Sequence, residues 1–379
     1  MSVGTAGGMS RRDFVKATSL AGAAVAGAAP LGAAACAENQ ASGGDWQLAI
    51  QVAGYPYDRV QALIRGDARV EGVDVRFTPS NIYALNAMAM GGAQEWEVQE
   101  IGLHPYMLAY ANDGLRDYTL IPVFPLRTFR HKSIYIRTDR GIDTPADLRG
   151  KTVAVAGYSQ SSLVWIRGIL QHEYGVVPED MQWIVAVESS DGGDVSRNEV
   201  VVPEGVPHRF GPAGRDESEL LASGEVDAVF SAVPPRGFVE GDPNIERLFT
   251  DYRKAEREYF ATTGLFPIMH AVAMRNDVVE ANPGLPKAVF EVYSQAKQQM
   301  YRDMHRVGWA MISLPWVSKE LEDTRELMGD NYWPYGIEAN RKVLEAMFLY
   351  SYEQGLASRQ LTIEELFHPT TLELQDTPL

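Results

Sequence analysis

Within the run Phe124-Pro125-Leu126-Arg127-Thr128-Phe129-Arg130-His131, two guanidiniums and an imidazole fall inside five residues. A guanidinium presents a planar fork of donors that holds a carboxylate through two parallel hydrogen bonds. An imidazole titrates close to neutral pH and can hand over a proton. In a chain with 50 Asp and Glu against 34 Lys and Arg, arginines gathered in this way point to binding of a carboxylate. The same residues also admit a plainer arrangement, in which Arg127 and Arg130 pair with surface carboxylates and His131 is a satisfied buried histidine.

A second constellation is Tyr158-Ser159-Gln160-Ser161-Ser162, between a strand and a helix. Backbone N–H groups and hydroxyls at a helix start bind an anion without net positive charge, although simple capping by one serine accounts for part of that signal. His270, closing Gly264-Leu265-Phe266-Pro267-Ile268-Met269-His270 at the expected return crossing, is a second candidate functional histidine beside His131; a lone histidine next to an apolar run more often serves packing. The seven histidines are scattered, with no His-x-x-x-His or His-Glu-x-x-His pair. Neither a phosphate-cradling Gly-x-x-x-x-Gly-Lys-Ser/Thr loop nor a Gly-x-Ser-x-Gly elbow occurs. No metal and no cofactor is expected. The acidic run Glu95-Trp96-Glu97-Val98-Gln99-Glu100 can be read as a carboxylate site, yet alternating Glu about an edge strand is more often a solvated face.

Positioning these groups falls to strands and helices that alternate along the chain, the pattern of an α/β fold. Strands are predicted over 46–52, 73–77, 98–103, 118–124, 133–137, 152–156, 228–231 and 269–274. Helices are predicted over 58–64, 81–90, 105–111, 163–174, 217–222, 286–311 and 338–355, and Thr144-Pro145 opens a further short one. This order builds part of one lobe, crosses near residues 131–137, builds the second lobe and returns near 265–274, so that two crossings make a hinge. The expected lobes are residues 47–132 with 265–379, and 133–264. Ligands of open α/β sheets bind beyond the carboxyl ends of strands. That rule adds Tyr57, Arg59, His104 and Ser231 to Arg127, Arg130, Ser159, Gln160, Ser161 and Ser162 as candidate binding residues.

Ser10-Arg11-Arg12-Asp13-Phe14-Val15-Lys16 matches a twin-arginine (Tat) export signal. The uncharged Ala- and Gly-rich stretch 17–35 behind it is too weakly apolar for a retained transmembrane helix, which needs about 20 apolar residues. Small residues around 33–37 offer a cleavage site, so 1–37 is read as a signal leading to the periplasm and 38–46 as a linker. Cys36 is the only cysteine, which rules out an intrachain disulfide. It is also the position a lipid anchor would take, though Ala33 stands where a lipobox has Leu. Removing the signal moves the net charge from −16 to about −18, a body that repels nucleic acid and anionic membranes. The remaining length of about 340 residues exceeds a single core. The expected partner is a small carboxylate held in a locally basic cleft, in a protein that is not integral to the membrane.

Beyond these readings, the stretch from Phe124 to Gln182 resembles the 4,5-dihydroxyphthalate decarboxylase family. The likeness lies in Phe-Pro-Leu-Arg-Thr-Phe-Arg-His-Lys-Ser-Ile-Tyr-Ile-Arg, in Asp-Leu-Arg-Gly-Lys-Thr-Val-Ala-Val and in Trp165-Ile166-Arg167-Gly168-Ile169-Leu170-Gln171-His172-Glu173-Tyr174-Gly175-Val176. It continues in Tyr57-Asp58-Arg59, Glu71-Gly72-Val73-Asp74, Gly224-Glu225-Val226-Asp227-Ala228 and Thr263 to His270, and so covers about residues 47–350. The resemblance implies a type 2 periplasmic-binding-protein-like fold, two-lobed with two hinge crossings. It also implies cofactor-free decarboxylation of a hydroxylated aromatic carboxylate, with His131 or His270 as proton donor and Arg59, Arg127 and Arg130 holding carboxylate. The same cleft would serve equally a solute receptor that passes an aromatic carboxylate to a transporter permease.

Overall fold

Strands form where β-branched and aromatic residues run between turn residues. The computed structural model describes residues 48–376, apart from 191, 193–194, 196–198 and 307–312. The export signal, the linker and Cys36 lie outside the described residues. In chain order the strands are β1 (Leu48–Gly54), β2 (Val73–Pro79), β3 (Val98–Gly102), β4 (Tyr118–Ile121), β5 (Ile134–Arg137) and β6 (Thr152–Ala156). They continue with β7 (Gln182–Ala186), β8 (His208–Phe210), β9 (Ala228–Phe230), β10 (Ile245–Arg247) and β11 (His270–Arg275). The longer helices are α1 (Ile82–Gly91), α2 (Leu103–Asn112), α3 (Ser161–Tyr174), α4 (Tyr252–Thr263), α5 (Leu285–His305), α6 (Val317–Met328) and α7 (Arg341–Glu353).

Two sheets result, one ordered β2-β1-β3-β11-β4 and the other β10-β5-β9-β6-β7-β8. This is the two-lobed α/β architecture expected from the sequence. In the first sheet β11 runs antiparallel between β3 and β4, because it is laid down by chain returning from the second sheet. The segments that pass between the sheets, 122–133 and 264–269, lie side by side. Thr128 N–H donates to Pro267 O and Met269 N–H to Leu126 O, at 3.1 and 2.9 Å.

The outer face of the first sheet packs on α5 through Val52, Val98, Val272, Val289, Phe290 and Tyr293. The outer face of the second packs Ala154, Ile184 and Val229 on Leu220, Leu221 and Val226. Between the sheets the apolar side chains form one continuous interior. Ile101, Leu120 and Ala271 of the first sheet share a buried cluster with Val153, Val155 and Phe230 of the second, and with Tyr106, Trp165 and Met347 from α2, α3 and α7. α7 lies on α3, and Gln354 just beyond it accepts from the buried Arg167 and donates to Val164 O.

One expectation is corrected here. The run ending in Glu100 does not belong to a solvated edge: β3 is the middle strand of its sheet, and Gln99 and Glu100 are buried. Glu100 accepts from Tyr55 N–H and Tyr57 O–H and Gln99 Nε2 donates to Leu85 O, while Gln99 Oε1 and Trp96 Nε1 have no hydrogen-bond partner among the described residues.

Candidate functional site

Beyond the carboxyl ends of β1 and β3 in one sheet, and of β6 and β9 in the other, lies a cavity of about 560 Å³. That size suits a small organic ligand. Sheet register builds its first wall. Antiparallel pairing sets His270 opposite Gly102 and Val272 opposite Glu100. Alternate residues share a face, so Glu100 and His270 become diagonal neighbours on one face. His270 Nδ1 lies 2.5 Å from Glu100 Oε1. The same oxygen accepts from the Tyr57 hydroxyl at 2.9 Å, and Oε2 accepts from the Tyr55 N–H at 2.9 Å. Burial, reinforced by the neighbouring carboxylate, holds the Tyr57 phenol far above its ordinary value, so it stays a donor. Gly54, at the end of β1, makes room for this carboxylate: a Cβ there would stand 2.9 Å from Glu100 Oε2.

The guanidiniums divide into two kinds. Arg127 is buried, and its donors go to Phe266 O at 2.7 Å, to Asn340 Oδ1 at 2.7 Å and to Pro334 O at 3.4 Å. Its head thereby ties the two crossing segments to the chain before α7, and burial pushes it down to about 9. Arg130 is also buried, yet its Nε has no hydrogen-bond partner among the described residues and Nη1 reaches only Ser133 Oγ at 3.5 Å. Burial pushes it down to about 10, against the pull of Glu256, so it remains a cation at neutral pH. Lys132, lowered by burial, lines the same side. Arg59 is clamped between the rings of Tyr57 and Trp333, 4.0 and 4.1 Å from their centroids. Its Nε donates to Pro125 O and Nη1 to Asp58, while Nη2 makes no hydrogen bond among the described residues.

Opposite stands the start of α3, contributed by Gln160, Ser161 and Ser162. Gln160 provides no side-chain cap to this 14-residue helix; Leu163 and Val164 N–H donate to Gln160 O, while Ser161 and Ser162 line the cavity. The sequence reading of an anion-binding helix start and the arginine run therefore meet on one cavity, which Tyr57, Arg59, Arg127, Arg130 and His270 also line.

Other expected residues lie elsewhere. His104 is fully buried behind the cavity, its Nδ1 2.5 Å from Ser159 O and its Nε2 2.8 Å from Ser351 Oγ, while its N–H donates to Ser161 Oγ. Burial lowers it to about 3, so it is neutral and structural. Ser159 is buried beside it. His131 does not line the cavity; its ring packs 5.1 Å from both Phe249 and Tyr259, neither nitrogen has a hydrogen-bond partner among the described residues, and burial pushes it down to about 4. Ser231 donates to the buried Glu217 at 3.3 Å, and its successors Ala232 and Val233 line the cavity instead. Glu100, Tyr55, Tyr83, Asn86, Lys132 and Trp333 were not expected from sequence. Of these, Tyr55 lies just beyond the carboxyl end of β1, where the strand-end rule looks for ligand contacts.

Two lobes of sheet and helix with a ligand-sized cavity at the strand ends define a periplasmic-binding-protein-like architecture. A solved structure of the same fold is the periplasmic sulfonate-binding protein SsuA from Methylobacillus flagellatus, with a TM-score of 0.52 and 15% identity, covering 86% of this chain and 93% of that one. No family model matches the chain. Sequence similarity is more specific. The chain belongs to the 4,5-dihydroxyphthalate decarboxylase family: it is 36% identical to the Comamonas testosteroni enzyme of that name over 327 residues, 86% of this chain and 98% of that protein. The Pseudomonas putida protein of the same name is 32% identical over 214 residues, 56% of this chain and 82% of the relative.

Proposed function

We propose that the chain decarboxylates a hydroxylated aromatic carboxylate, 4,5-dihydroxyphthalate or a near relative, in this cavity and without a cofactor. The observation that carries the reading is that buried cations, the start of α3 and a carboxylate-held imidazole line one ligand-sized space. Arg130 and the start of α3 hold the carboxylate that stays, Arg59 steers the ring, and His270 supplies the proton. Electron donation from the para hydroxyl lets the ring carbon that bears the leaving carboxylate take up that proton. The bond to the carboxyl carbon then breaks, its electron pair returns to the ring, and carbon dioxide departs. One proton is consumed and later restored to the imidazole by solvent. Arg127 supports the crossings, and His131 has no part in this assignment.

The fold shared with a sulfonate-binding protein and the twin-arginine pattern at Ser10–Lys16 support a second reading, capture of an aromatic carboxylate in the periplasm for delivery to a permease. The lobes are proposed as 47–132 with 265–379, and 133–264. Incubating the purified protein with 4,5-dihydroxyphthalate, while following carbon dioxide release and melting temperature, separates the readings. Turnover supports the decarboxylase, a raised melting temperature without turnover supports the receptor, and no response removes both.

A further inference from the structure

We infer that Glu100 is the positioning residue of the reaction: it fixes the His270 ring with Nδ1–H turned to its own carboxylate and Nε2 turned to the cavity. The inference rests on the proposed decarboxylation for its catalytic meaning, but the geometry stands apart from it. Glu100 is a buried carboxylate in the middle strand of its sheet, where an unpaired charge is costly. Its oxygens are engaged by Tyr55 N–H, Tyr57 O–H and His270 Nδ1. The backbone N–H can only donate, and the Tyr57 phenol, held protonated by burial, donates to Glu100 Oε1, so the carboxylate accepts from both and keeps its acceptor character for the imidazole. Such a partner selects the Nδ1–H tautomer, as carboxylates do for histidines elsewhere. His270 Nε2 makes no hydrogen bond among the described residues, and the residue lines the cavity.

Three features make this a built device rather than a chance pair. Strand register places the two side chains diagonally on one face. Glycine at position 54 leaves the notch into which the carboxylate fits. Tyr57 couples the pair to Arg59, whose guanidinium stacks on the Tyr57 ring at 4.0 Å. One residue thus links the proton donor to a group that steers the ligand. During the reaction the proton leaves Nε2 for the ring carbon, while the Nδ1 proton stays between Nδ1 and Glu100. The carboxylate stabilises the charged imidazole before transfer, and no net change occurs at Glu100.

The test combines ring ¹⁵N chemical shifts of His270, assigned by comparison with His270→Gln, with steady-state kinetics on 4,5-dihydroxyphthalate. In the wild type the neutral ring should carry its proton on Nδ1. Glu100→Gln should lower kcat about a hundredfold while KM changes by less than about threefold, because a general-acid contribution is removed without a ligand contact. Glu100→Asp, which keeps the charge, should recover part of kcat. A wild-type ring protonated on Nε2 alone, or a Glu100→Gln protein with kcat within about threefold of wild type, overturns the inference. Should Glu100→Gln not fold, the wild-type spectrum still decides the tautomer. Absence of turnover by the wild type would strike the proposed reaction and leave the tautomer result standing.

Discussion

The ring of His104 joins α2 to the chain ahead of α3 and to α7 at once: Nδ1 lies 2.5 Å from Ser159 O and Nε2 lies 2.8 Å from Ser351 Oγ. Only the neutral Nδ1–H tautomer serves both partners, as donor to the carbonyl and acceptor from the hydroxyl. A folded-state value of about 3, below the ordinary 6.5, means that the unfolded chain takes up the proton first. This contribution is complete above about pH 6.5 and is lost as pH falls toward 3, at up to about 1.4 kcal/mol per pH unit. His104→Leu should lower stability at pH 7 by roughly 2–4 kcal/mol and flatten that acid limb, as read by urea unfolding at a series of pH values.

Arg127 and Arg130 should respond in opposite ways to the same change. Arg130→Met removes a buried cation with few partners, so the ligand-free protein should melt at the same or a higher temperature. Its affinity for an aromatic dicarboxylate should fall about a hundredfold by calorimetry. Arg127→Met strips the donors from Phe266 O, Pro334 O and Asn340, and should cost about 2–4 kcal/mol of stability.

His131→Phe should keep kcat within about threefold of wild type, because the ring sits in an aromatic enclosure with Phe249 and Tyr259 rather than on the cavity. A kcat loss approaching that of His270→Gln would return His131 to the reaction.

Lys297 and Asp376 form a buried ion pair in which the ammonium also donates to Trp333 O at 2.7 Å, and Asp376 accepts from Tyr335 N–H at 2.9 Å. Asp376→Asn leaves that ammonium without its counter-charge and should cost about 3–5 kcal/mol by chemical denaturation. Since Trp333 stacks on Arg59, ligand affinity should weaken as well.

Much of the architecture could be read from residue order. The strands expected at 73–77, 152–156 and 228–231 are present as Val73–Pro79, Thr152–Ala156 and Ala228–Phe230, and Arg127 and Arg130 share a cavity with the serine-rich helix start. α4 and α6 escape the sequence reading because both are polar in composition: α4 buries only Glu256 and Tyr259, and α6 buries no residue. The site was harder. Glu100 and His270 are 170 positions apart and become neighbours only through strand register, which a single sequence does not encode locally. Arg127 and Arg130 look alike in sequence, yet one faces three acceptors and the other almost none, a difference set by the chain around Phe266 and Asn340. His104 follows a strand end as the rule for ligand contacts requires, but α3 and α7 close over it.

The shared interior changes what an opening motion would cost. In a receptor whose halves swing like jaws, the cleft can be emptied by rotating about the crossings. Here rotation would pull Trp165 from its hydrogen bond to Ile268 O at 2.9 Å and wet the apolar layer between the sheets. The buried layer behind the chamber therefore resists such a rotation. Ile82 and Tyr83 of α1 line the chamber half-exposed, and the two halves should melt as a single calorimetric unit.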